Sequence, residues 1–155
     1  MAVSLDKKES KLITVFLSGG MTGLSREEMT GWRNKIKECS SYYDMYVISP
    51  TDYFMNGDTK DEDEDSAAFL YDTYWVKKCD VVIVNMNNPN SIGTAQEMML
   101  AHEYHKPIIM IASREKWDDI HSWLKQEANR VFYYEDYEKE DWLYEDVVDY
   151  AAIYE

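Results

Sequence analysis

The chain has 155 residues, 45% of them hydrophobic and 14% aromatic, which is enough for one sizeable core in a single domain over residues 1–155. Sixteen Lys and Arg stand against thirty Asp and Glu, giving a net charge of −14 and a pI near 4.5. Such a surface repels phosphate backbones and anionic lipid heads, and so argues against a nucleic-acid or membrane binder. No apolar run approaches the ~20 residues that span a bilayer. The opening stretch MAVSLDKKESK lacks an apolar signal core, and Cys39 and Cys79 sit outside any CxxC or zinc spacing. A cytoplasmic protein with reduced thiols is expected.

Residues 12–18 (LITVFLS) form a β-branched run ending at Gly19-Gly20. Residues 25–38 read as a helix with Ser25 as N-cap and Glu28 completing a capping box. A second strand is expected over 45–49, closed by Pro50, then a polar loop over 51–65, then a helix over 66–78. Residues 80–85 (DVVIVN) are apolar without alternation, the mark of a strand buried on both faces. A turn over 86–90 leads to a helix over 91–105, a fourth strand over 107–112, a helix over 115–128, a short strand over 130–134 and a last helix over 141–154. Strand–helix alternation without an internal repeat or linker predicts right-handed βαβ units. The expected architecture is a Rossmann or flavodoxin-like α/β domain, with about five mostly parallel strands and helices on both faces. Ligands in such sheets bind beyond the carboxyl ends of the strands, which directs attention to the turns after Ser18, Ser49 and Asn85.

Two carboxylates fall on apolar helix faces. Residues advance ~100° along a helix, so Glu97 shares a face with Leu100, Ala101 and Tyr104, while Gln96 and Glu103 lie opposite. Asp72 is flanked by Ala68, Phe69, Trp75, Val76 and Cys79. An unpaired buried carboxylate costs several kcal/mol, so each needs a partner, an aqueous pocket or a chemical role. For Glu97 the plain structural alternative is a capping box over Thr94–Glu97; for Asp72, in mid-helix, it is a solvated notch. Two such acids in helices adjoining one strand favour a paired-acid site. Glycosyl chemistry uses such a pair: one carboxylate attacks or stabilises an oxocarbenium-like carbon while the other assists the leaving group.

Around these acids lie weaker signals. Gly19-Gly20-Met21-Thr22-Gly23 is neither a Walker loop nor G-x-G-x-x-G, but it lets backbone N–H groups approach a ligand. Ser91 and Gly93 offer donors at a helix start, although Ser91 also reads as an ordinary N-cap. The acidic run Asp61–Asp65 lacks EF-hand spacing and reads as a solvated loop, a possible flap. His102, His105 and His121 show no metal spacing, and His102 lies away from Glu97. The aromatic tail (Phe132, Tyr133, Tyr134, Tyr137, Trp142, Tyr144, Tyr150, Tyr154) has the composition of an interface, with packing on the sheet as the alternative.

The segments running from Asp72 through Asp80 to Asn85, from Asn90 through Gly93 and Glu97 to His102, and Lys106-Pro-Ile-Ile, together with Val15-Phe-Leu-Ser-Gly-Gly-Met-Thr-Gly23, resemble the nucleoside 2-deoxyribosyltransferase family. Its relatives include the 2'-deoxynucleoside 5'-monophosphate N-glycosidases. The similarity covers about residues 12–112. The resemblance implies that Glu97 is the nucleophile, forming a sugar ester at C1', and that Asp72 is the acid that assists the base. It places Gly19, Gly20 and Met21 beside sugar and base. It implies no metal or organic cofactor. It also implies homodimers or larger homo-oligomers with shared sites, and small-molecule partners: a nucleoside or nucleotide and a free nucleobase, as in nucleotide salvage.

Several positions depart from or divide the pattern. Phe16 stands where the family commonly has a tyrosine, removing a hydroxyl that could orient Glu97. Ser91 stands where transferases carry an acid, as in the monophosphate glycosidases, whose serine contacts phosphate. Asn129 loosely matches the residue supplied by a neighbouring subunit, and the terminal Tyr154-Glu155 approximates the transferase C-terminus. Three readings follow: a transferase moving 2'-deoxyribose between bases, a deoxynucleoside monophosphate hydrolase, and a nucleotide-binding module that has lost catalysis. The absence of Lys or Arg from 18–24 and 86–94, together with the charge of −14, favours the first over the monophosphate hydrolase.

Overall fold

The computed structural model describes residues 12–54 and 62–154; the N-terminal stretch, residues 55–61, which include the first residue of the expected flap, and Glu155 lie outside the described residues. Strand β1 (Ile13–Gly19) feeds helix α1 (Arg26–Ser40), and β2 (Met45–Ile48) is followed by a short 3₁₀ turn at Pro50–Asp52. Helix α2 (Glu62–Lys78) leads to β3 (Val81–Asn85), α3 (Ile92–Glu103) to β4 (Ile108–Ala112), and α4 (Ser122–Glu127) to β5 (Arg130–Tyr133), before α5 (Glu140–Ala151). All four strand pairings are parallel, in the order β2-β1-β3-β4-β5. The expected sheet is therefore five-stranded and wholly parallel. Strand order reverses between β1 and β3, where the loops that follow those strands diverge.

Alternation along the strands sends side chains to two cores. Ile13, Val15, Leu17, Val81 and Ile83 meet Trp32 and Ile36 of α1 and Leu143, Val147 and Val148 of α5. Phe16, Val82, Val84 and Met110 meet Val76 of α2 and Cys79 just after it, Met98 and Ala101 of α3, and Leu124 of α4. Both cysteines are free thiols.

Four local expectations need correction. Residues 62–65 are not loop but the first turn of α2. The helix expected over 115–128 is broken: a 3₁₀ stretch spans Arg114–Asp119, Ile120 turns extended and is buried, and His121 Nδ1 then caps α4 by accepting from Trp123 N–H at 3.1 Å. Phe69, placed beside Asp72 on an apolar face, is 63% exposed. Finally, the aromatic tail mostly packs on its own sheet: Phe132 and Tyr144 are buried, and Tyr134, Tyr137, Tyr150 and Tyr154 lie against the same core, while Trp142 remains exposed.

Candidate active site

Helix α3 starts at Ser91, whose Oγ accepts from Thr94 N–H at 3.3 Å and shares a 2.9 Å hydroxyl contact with Thr94 Oγ1. The third helical residue is thus Thr94, and Glu97 lies a full turn too deep to close a capping box. The bland explanation of Glu97 falls away. Met98 and Ala101 hold that side of α3 against the sheet with no exposure, which carries the Glu97 carboxyl inward. Its Oε2 is buried without a hydrogen-bond partner. Burial, reinforced by the negative charge of Asp72, pushes its pKa up to about 8; Arg33 and Ser18 act in the opposite direction.

Asp72 comes from the middle of α2, one turn before fully buried Val76. Its Oδ1 is likewise buried and unpartnered, and burial raises its pKa to about 7 against the pull of Arg33. Two acids from different helices therefore each bring a buried, unpartnered oxygen to the α2–α3 face, with Glu97 within reach of the Asp72 charge. A chain of rings flanks Asp72: Tyr71 lies 5.5 Å from Tyr53 and from Phe54, and 6.5 Å from Trp75. Such a wall suits stacking with a flat heterocycle.

Sequence reasoning missed two members of this cluster. Ser18 is 1% exposed on the Phe16 face of β1, its hydroxyl outside hydrogen-bond geometry with any group, and it favours the ionised form of Glu97. Arg33, on α1, is also 1% exposed, with its guanidinium donating to Met29 O at 2.7 Å and Gly19 O at 3.3 Å. The signal was present: Arg33 shares the buried stripe of α1 with Met29, Trp32 and Ile36, an arginine in an apolar row.

The other expected site residues divide. Phe16 is fully buried two residues before Ser18, packed with Val76 and Met98, and brings no hydroxyl to Glu97. Gly19 and Gly20 are required by close packing: a Cβ at Gly19 would stand 2.9 Å from the Trp32 ring, and one at Gly20 would stand 2.8 Å from Asn88 Cβ. The Gly20 N–H already donates to Asn87 Oδ1 at 3.1 Å, so it serves the junction between the two loops. Met21 is half-buried in the turn closed by Leu24 N–H to Met21 O at 3.1 Å. Gly93 opens onto free space in the first turn of α3. Asn129 lies at the other end of the sheet, its Oδ1 accepting from Ile108 N–H at 2.8 Å, and within one chain it does not join the acids. A separate cleft of about 580 Å³ between α1 and α5 is lined by Asn85, Tyr134 and Tyr144 but by neither acid.

No family model matches the chain, and no curated protein matches it in sequence. Among solved structures it is similar to a 2-deoxyribosyltransferase from the psychrotolerant bacterium Bacillus psychrosaccharolyticus, with a TM-score of 0.66 and 16% identity over 88% of this chain and 91% of that one. The chain has the same fold. It is likewise similar to the CMP N-glycosidase BcmB of Clostridium botulinum (TM-score 0.58, 18% identity, 88% and 98% covered) and to a conserved protein from Enterococcus faecalis (0.66, 13%, 90% and 99%). Two of these three are thus named for moving deoxyribose or cleaving an N-glycosidic bond.

Proposed function

We propose that the chain belongs with the nucleoside 2-deoxyribosyltransferases and moves 2'-deoxyribose from one nucleobase to another. The observation that carries this reading is the pair of buried, partnerless carboxyl oxygens on Glu97 and Asp72, held on the α2–α3 face. In the first half-reaction a Glu97 oxygen attacks C1', the C1'–N bond breaks, and Asp72 gives its proton to the departing base. The product is a sugar ester on Glu97. An incoming base then attacks C1' through a ring nitrogen, the ester C–O bond breaks with its electrons returning to Glu97, and the proton lost by that base restores Asp72. The rings of Tyr53, Tyr71 and Trp75 form the wall against which either base would stack.

The reaction needs a singly protonated pair with the proton on Asp72; burial alone favours it on Glu97, so the proton must pass to Asp72 as the base binds. Both acids titrate near neutrality, well above their ordinary range. The rate should rise as the pair loses its first proton and fall with the second, a bell centred near pH 7–8. The hydrolase reading for deoxynucleoside monophosphates rests on Ser91 beside open Gly93. Against it, the Ser91 hydroxyl is already engaged by Thr94. Phe16 keeps the binding-module reading alive. Incubating the protein with thymidine and adenine, and separately with deoxynucleoside monophosphates in water, distinguishes all three by chromatography. Deoxyadenosine should form, and Glu97→Ala should lower its rate by about a thousandfold or more. Free base from the monophosphates alone would mean a hydrolase, and binding without turnover would leave the module.

A further inference from the structure

We propose that the cleft between α1 and α5 is a second small-molecule site, which takes a neutral, flat heterocycle with a lactam edge, the chemistry shared by free nucleobases and neutral nucleosides. It lies across the sheet from Glu97 and Asp72 and stands whether or not those acids move a sugar.

The cleft opens where β1 and β3 end, at the point of the sheet where strand order reverses and where ligands of such folds bind. Its volume of about 580 Å³ falls in the ordinary range for small-molecule sites, about 300–1,000 Å³. Alternation along β3 turns Asn85 to the same side as Val81 and Ile83, toward α1 and α5. Asn85 is 2% and Trp32 5% exposed, and both line the cleft. Among the described residues neither Asn85 Oδ1 nor Trp32 Nε1 has a hydrogen-bond partner. The two residues meet at Gly19: a Cβ there would stand 2.9 Å from the Trp32 ring and 3.3 Å from the Asn85 backbone oxygen.

The protons around Asn85 run in one direction. The Glu140 carboxylate can only accept, so the Tyr144 hydroxyl donates to its Oε1 at 2.7 Å. Tyr144 has then given its one proton, and in the 3.4 Å contact between the two phenols Tyr134 is the donor. Tyr134 in turn accepts from Asn85 Nδ2 at 2.7 Å. This relay fixes the amide with its N–H end held and its Oδ1 left to accept. An indole N–H can only donate. The floor thus presents one fixed donor beside one fixed acceptor, and a lactam supplies their complements, a C=O and an N–H on adjacent ring atoms. The walls are aromatic, with Tyr134 and Tyr144 edge-on at 6.4 Å. A single hydroxyl could bridge the two orphan groups, but it would make no use of those walls. Four carboxylates line the cleft against two amines, Lys35 and Lys116, and Lys35 already lies 3.4 Å from Asp141. That surplus of negative charge selects a neutral ligand over a phosphorylated one.

The test is proton NMR of the Trp32 indole N–H in the full chain, assigned with Trp32→Phe, during titration with uracil and separately with deoxyuridine. The signal should move downfield and saturate; tighter uracil identifies a free-base site, and tighter deoxyuridine a nucleoside site. Dimethyluracil, methylated at both ring nitrogens, should bind at least about tenfold more weakly than uracil. Asn85→Leu should abolish the shift, while Glu97→Gln should leave it intact, since Glu97 does not line the cleft. A Trp32 signal that stays in place at millimolar uracil and deoxyuridine overturns the proposal, as does one that follows dimethyluracil equally well. So does a folded Asn85→Leu that keeps the shift, or a shift lost in Glu97→Gln, which would report the acid site instead. If Asn85→Leu does not fold, the comparison of uracil with dimethyluracil on the unaltered protein decides alone.

Discussion

Glu97 and Asp72 set the behaviour of the molecule with pH. Folding raises both carboxyls, so between about pH 4.5 and 8 the native state binds more protons than the unfolded chain. Their contribution to stability is therefore greatest at low pH and declines as pH rises through that window. Glu97→Gln removes the titrating group while keeping its shape, and should stabilise the protein at pH 8 by about 1–3 kcal/mol relative to pH 5. Thermal melts at the two pH values check this; equal melting shifts at both would mean that the carboxyl is not held in its protonated form by burial. Both acids were legible in the sequence because a charged residue in an apolar row is visible at helical period. Arg33 was equally visible on that test. What the sequence does not mark is its destination, since Arg33 approaches the Gly19 loop from a helix fourteen residues further along the chain.

At the level of elements, the junction between the loops after β1 and β3 decides whether the cluster is assembled. Gly20 packs with no room for a side chain and is tied to Asn87. Gly20→Ala should cost about 1–3 kcal/mol and lower turnover more than a neutral surface change of equal cost. Denaturant unfolding combined with the transfer assay would show this, and unchanged stability would mean that the Asn88 side chain simply moves aside. The elements themselves were largely readable. The box of Ser25 and Glu28 and the uninterrupted runs of β3 and β4 are local signals with local causes. The break at Ile120 was not readable, since no Gly or Pro marks it. It is made by tertiary contacts: Ile120 is drawn into the core, and Arg114 is held to Asp136 by two 2.9 Å hydrogen bonds.

For the whole molecule, alternation of strand and helix foretold the parallel sheet, but not which helices share a face. That division follows from the order β2-β1-β3-β4-β5, set by long-range pairing. Beside the start of α3 and α4 lies a cavity of about 270 Å³ lined by Ser91, Ile92, Met99 and Trp123, with Ile92 75% and Trp123 65% exposed. If the protein assembles as the resemblance implies, this face is where a second copy would meet the site. Trp123→Glu should then shift the mass measured by light scattering toward a monomer and lower transfer activity several-fold. A variant with unchanged mass would remove this face from the assembly.

The ending of β1 in Gly19 has one more consequence. Because that position has no side chain, the Trp32 ring and the Arg33 guanidinium close directly over the end of β1. Any side chain there would push that ring aside, so the shelter of a buried arginine on a helix is set by the last residue of a strand.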